Sequence, residues 1–96
     1  MAVYLVTWDL NKEKPNYTQA RKDFLDNLNR HENTRDQGLD SVRFVSTSLS
    51  ADSLYNDLST KLDKNDRIVV TKMVSGNHQG LLIKDVWDWI NARINL

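Results

Sequence analysis

The sequence predicts an α+β domain, and three observations carry that prediction. The hydrophobic period switches back and forth between two residues and about 3.6 residues along the chain, as it does where strands and amphipathic helices alternate. The first periodic segment, Val3 to Asp9, is apolar on both faces, with Val3, Leu5 and Thr7 on one and Tyr4, Val6 and Trp8 on the other, the pattern of a strand in the middle of a sheet. The chain has 96 residues and one proline, enough for a single domain with a modest core and without a linker.

The elements follow in order. After the first strand, Asn11 to Pro15 is polar, and Asn16 with Gln19 three residues on has the form of a capping box, so a helix is expected from about Tyr17 to Asn29. Its buried stripe is Tyr17, Ala20, Phe24, Leu25 and Leu28, which leaves Gln19, Lys22, Asp23 and Asp26 to water. Arg30 to Gly38 is almost wholly polar and reads as a loop or a weak, exposed edge strand. Leu39 to Thr47 alternates, with Val42 and Phe44 to one side and Arg43 and Val45 to the other, a strand with one well-buried face. Ser50 and Asp52 open a second helix, Ser50 as the hydrogen-bonding cap, with Leu54, Leu58 and Leu62 as its stripe and Ala51 and Tyr55 beside them. Asp63 to Asp66 is a turn, and Arg67 to Val74 is a β-branched strand. Ser75 to Gly80 breaks it, Leu81 to Ile83 is a candidate short strand, and Val86, Trp87, Ile90 and Ile94 mark a closing helix. Trp87 fits that stripe and Trp89 falls near its edge, the kind of half-exposed aromatic found at interfaces.

Strand, helix, weak strand, strand, helix, strand is the βαββαβ order of a ferredoxin-like sandwich. Here it carries an appended C-terminal strand or helix, with a core over about residues 2–75 and an extension over about 76–96 of a single 1–96 domain. Right-handed crossovers then make the first and third strands the central pair.

Composition narrows the chemistry. Thirteen Lys plus Arg balance thirteen Asp plus Glu, so nucleic acid would be held by a local patch rather than by the field of the whole molecule. With no cysteine and two histidines, His31 and His78, a metal here would be a hard, oxygen-bound one. His31 sits in a polar segment and His78 in a glycine-flanked loop, and both read as surface residues rather than ligands. No apolar stretch reaches the roughly 20 residues that span a bilayer, and the first residues read as a strand rather than a cleavable signal, so no membrane association and a cytoplasmic location are expected.

The run Tyr4-Leu5-Val6-Thr7-Trp8-Asp9-Leu10-Asn11 followed by Pro15 and Tyr17, then Leu39 to Val45, Leu49-Ser50-Ala51 and Leu62 to Asp66, resembles a group of small bacterial and phage proteins. These are the SinR-like proteins related to the smaller CRISPR-associated adaptation protein, a metal-dependent nuclease family in some members. The resemblance covers roughly residues 3 to 75. It implies a ferredoxin-like homodimer in which the aspartate ending the first strand of each subunit faces a shared cleft and can hold a magnesium ion, and Asp9 matches that position. The chain departs from the family in having Trp8 where tyrosine is usual before the aspartate, and Lys12 and Lys14 where arginines are common.

Asp9 is thus the candidate catalytic residue and metal ligand. A divalent ion held by paired carboxylates polarises phosphate and acidifies a bound water. The alternative is a strand-end aspartate that hydrogen-bonds the following loop. Lys12, Lys14, Arg21 and Lys22 form the candidate nucleic-acid patch, against which stands ordinary solvated charge diluted by Glu13 and Asp23. Phe44 reads as core and Ser41 as a hairpin hydrogen bonder. Two functions remain open: a magnesium-dependent nuclease relative acting on nucleic acid at a dimer cleft, and a non-enzymatic dimeric scaffold or protein-interaction module.

Overall fold

The computed structural model describes residues 1–94; the last two positions of the expected C-terminal extension lie outside them. In chain order the elements are β1 (Ala2–Asp9), α1 (Tyr17–Leu28), β2 (Glu32–Thr34), β3 (Val42–Thr47), α2 (Ala51–Ser59), β4 (Arg67–Lys72) and α3 (Lys84–Arg93). The four strands form one sheet in the order β2-β3-β1-β4, every neighbouring pair antiparallel. This α+β arrangement of one antiparallel sheet and three helices is compatible with a ferredoxin-like chain path. β1 and β3 are the inner strands, as the two-sided apolar pattern of β1 requires.

Strand alternation divides the core in two. Tyr4, Val6, Trp8 and Val45 on one face pack with Phe24 and Leu28 of α1 and Leu54 and Leu58 of α2, with Ile68 and Val70 of β4 at the margin. Trp8 and Phe24 meet at 5.1 Å between ring centroids, tilted by 56°. Such a pair contributes about 1 kcal/mol beyond the area it buries. On the opposite face Val3, Phe44 and Met73 are covered by Val86 and Ile90 of α3, with Leu5, Val42, Trp87 and Trp89 around them. Since Phe44 to Thr47 are all buried, β3 has two covered faces rather than the one expected.

Two local expectations change. Asn16 makes no side-chain cap to α1, because Gln19 donates to Asp23 at 2.8 Å instead of reaching back, so the capping box is absent. Ser50, by contrast, caps α2 as expected by accepting from the Ser53 amide at 3.1 Å. Leu81 to Ile83 forms no strand; the segment is fixed at one point, where Asp36 accepts from the Ile83 amide at 2.8 Å and opens the way into α3. Asp36 also accepts from the Gly38 amide, and these backbone donors hold its carboxyl below the usual carboxylate range.

Candidate functional site

Asp9 is the last residue of β1 and is exposed, whereas Trp8 and Leu10 on either side are buried. Alternation therefore turns its carboxylate to the face that carries α3, beyond the end of that helix's coverage, beside Thr7 and Val69. It lies in a shallow recess of about 180 Å³ lined by Thr7, Trp8, Asp9, Arg67, Ile68 and Val69. Arg67 stands directly opposite Asp9 in the β1–β4 register, but its Nη1 donates to the backbone oxygens of Lys64 (3.0 Å) and Asp66 (2.9 Å). Among the described residues the Asp9 side chain has no hydrogen bond or ion pair. The loop-bonding role open to Asp9 is taken by Asn11, whose Oδ1 accepts from the Glu13 amide at 3.0 Å. Ser41 contributes its backbone oxygen, which accepts from Thr7 Oγ1 at 2.9 Å and from the Trp8 amide at 3.2 Å.

The loop after Asp9 is locked by a second carboxylate. Asp66, with its side chain fully enclosed, accepts from the Asn11 amide (2.9 Å), the Asp63 amide (3.0 Å) and Lys14 Nζ (2.9 Å), and Lys14 also reaches Asp63 at 3.1 Å. Burial by itself raises the Asp66 pKa, but the Asp63 and Asn11 amides and the Lys14 ammonium outweigh it and hold the group below the usual carboxylate range. Lys14 is raised in turn, first by its hydrogen bond to Asp66.

This changes the composition of the expected basic patch. Lys14 is committed to Asp63 and Asp66, and Lys22 pairs with Asp26 one helical turn on at 2.6 Å. Lys12 and Arg21 remain exposed, Lys12 in a groove with Pro15 to Gln19 and Arg21 on α1.

A third cluster joins α1 to α2. Arg30 Nη2 donates to both Asp57 oxygens at 2.7 and 2.6 Å, and His31 Nε2 meets Asp57 Oδ2 at 2.7 Å. Asn27, buried on α1, accepts from Arg30 Nε and donates to the Asp57 backbone oxygen. Partial burial pushes the Asp57 pKa up, and the bonds from His31 and Arg30 reverse this and hold it low. His31 is therefore largely enclosed and bonded, contrary to its reading as a surface residue; no hydroxyl hydrogen-bonds to its ring among the described residues, so the group braces the helices rather than activating a nucleophile. His78 stacks on Trp87 at 5.8 Å and bonds the Val74 backbone oxygen through Nδ1.

The composition of Asp63 to Asp66 marks a turn, yet nothing in it names Lys14 or Asn11 as partners. Arg30 lies in the turn after α1 and Asp57 on α2, and they carry no shared motif. Among the described residues no three His, Asp or Glu side chains gather in a way that could hold a metal ion. No family model matches the chain, and no curated protein matches it significantly.

Proposed function

We propose that the chain is a ferredoxin-like domain that works as a homodimer on nucleic acid, the Asp9 carboxylates of two copies sharing one magnesium ion. The observation that carries this reading is the state of Asp9: an exposed carboxylate at the end of an inner strand, unpaired although a guanidinium faces it in register, and bordered by an apolar residue, Val69, that is 57% exposed. One carboxylate per copy fits magnesium only when a second copy supplies another, since this ion keeps several waters and needs few protein ligands beside phosphate. Bound there, magnesium would supply charge neutralisation at a phosphodiester and an acidified water. The chain's own part is to hold Asp9 in place through the β1 ladder and the Asp66 lock on the following loop. Without the ion, two apposed carboxylates repel and one tends to keep a proton.

The test has two arms. Sedimentation should give a dimer at high micromolar concentration, and magnesium at about 100 times its Kd should stabilise the wild type by about 2.7 kcal/mol while leaving Asp9→Asn unmoved. A strict monomer, or equal responses of the two proteins, removes the shared site. A second reading, a non-enzymatic interaction module, is favoured by the apolar residues left open between β4 and α3, where Val74, Leu81 and Ile83 are 48%, 98% and 54% exposed. An Asp9→Asn protein that keeps every activity of the wild type would select it.

A further inference from the structure

A concentration of arginine that the Asp9 reading does not use lies at the other margin of the sheet. Arg43 on β3 points to the face carrying α1 and α2, since it stands opposite Val6 in the β1 register and Val6 belongs to that core. β2 ends at Thr34, paired with Phe44, and Arg35 follows it directly, near enough to Arg43 for their like charges to interact. α1 crosses above them, with Arg21, Leu25 and Asn29 spaced four apart along one stripe and Asn29 Oδ1 accepting from Arg43 Nη1 at 2.9 Å. Asn33 Oδ1 accepts from the same nitrogen at 2.9 Å, and its amide is itself fixed to the His31 backbone oxygen.

The partners of this half-buried guanidinium are therefore neutral amides, which orient it without cancelling its charge. Burial lowers the Arg43 pKa first, and the like charges of Arg35 and Arg21 lower it further, with no carboxylate acting in the other direction. Arg21 and Arg35 are exposed, and neither side chain has a hydrogen bond or ion pair among the described residues. The neighbouring carboxylate, Asp36, is spent on the Ile83 and Gly38 amides on the opposite side of the sheet. Three like charges gathered without an acid cost free energy in the unliganded protein, and an anion with several oxygens relieves that cost. Guanidinium suits phosphate in particular, because its planar fork donates two parallel bonds to two phosphate oxygens.

We propose that Arg21, Arg35 and Arg43 form a binding site for phosphate groups of a nucleic-acid backbone, with Arg43 as the amide-oriented base and Arg21 and Arg35 as the two exposed arms. The source of the phosphate rests on the proposed action on nucleic acid; the site itself needs neither Asp9 nor magnesium. It replaces Lys14 and Lys22, which are committed elsewhere, as the cationic surface that Arg21 belongs to.

Anisotropy of labelled DNA and RNA oligonucleotides, measured in EDTA, tests it with Arg21→Ala, Arg35→Ala and Arg35→Glu, all exposed positions whose folding is checked by melting. Each alanine variant should bind about tenfold more weakly and lower the double-logarithmic salt slope by about one. Arg35→Glu should weaken binding further, and Lys61→Ala, in the separate recess lined by Asp23, Asp26, Asn27 and Arg30, should bind as the wild type does. Oligonucleotide binding that ignores Arg21 and Arg35 overturns the site while leaving action on nucleic acid standing, whereas binding to neither oligonucleotides nor pyrophosphate overturns both. Pyrophosphate binding that depends on Arg21 and Arg35, without any oligonucleotide binding, supports the phosphate site and overturns the nucleic-acid function.

Discussion

Replacing Asp66 with alanine should be the most damaging single change near the candidate site, because one enclosed carboxylate satisfies three donors. Its oxygens accept from the Asn11 amide, the Asp63 amide and Lys14 Nζ at 2.9, 3.0 and 2.9 Å. A hydrogen bond to a charged group contributes about 1.5–3 kcal/mol net, but here both amides lie in loops that water can partly reach once the side chain is gone, so the total is taken as about 3 kcal/mol. For a domain of this size that corresponds to a fall in Tm of about 15 °C. Asp66→Asn should cost less, about 2 kcal/mol, since it keeps an oxygen for Asn11 but sets an amide NH2 against the ammonium and the Asp63 amide. Lys14→Met should cost least, because the carboxylate then still caps two backbone amides and Asp63 is half exposed. Urea denaturation followed by circular dichroism measures all three. A loss below about 1 kcal/mol for Asp66→Ala, or a larger loss for Lys14→Met than for Asp66→Ala, would refute the view that the carboxylate is the keystone of the loop.

Acid sensitivity follows from the same groups. Asp57 and Asp66 both have folded pKa values below the ordinary 3.8, so their contribution to stability is complete above about pH 4 and is lost as pH falls through the depressed values. Denaturation midpoints should therefore be level down to about pH 4 and decline below it, with a flatter decline in Asp66→Ala; equal acid limbs in the two proteins would count against the Asp66 share. Ile90→Ala, which truncates the fully buried anchor of α3 over Val3 and Phe44, should cost about 3 kcal/mol, and a loss under 1 kcal/mol in urea would mean that α3 is not a packed layer.

Periodicity and end signals were enough to place β1, α1, β3, α2, β4 and α3 to within a few residues, because those signals are local: alternation for strands, a four-residue stripe for helices, and Ser50 as a cap. Even the inner position of β1 was legible, since only a strand covered on both sides needs apolar residues at successive positions. Exposure of Asp9 was not. A strand-end aspartate reads the same whether its register partner binds it or, like Arg67, turns to the neighbouring backbone.

What the sequence determined by itself was the order of elements, the two-faced character of β1 and the residue types available for chemistry, all properties of short windows in which each residue's neighbours are its chain neighbours. Tertiary structure alone decided which of the other charges are spent and which are left: Lys14 on Asp66, Arg30 and His31 on Asp57, with Arg21 and Arg35 left near Arg43. The reason is physical. Most of these pairings join residues tens of positions apart in the chain, and whether a charged side chain meets an acid, an amide or water depends on where sheet register and helix packing bring it.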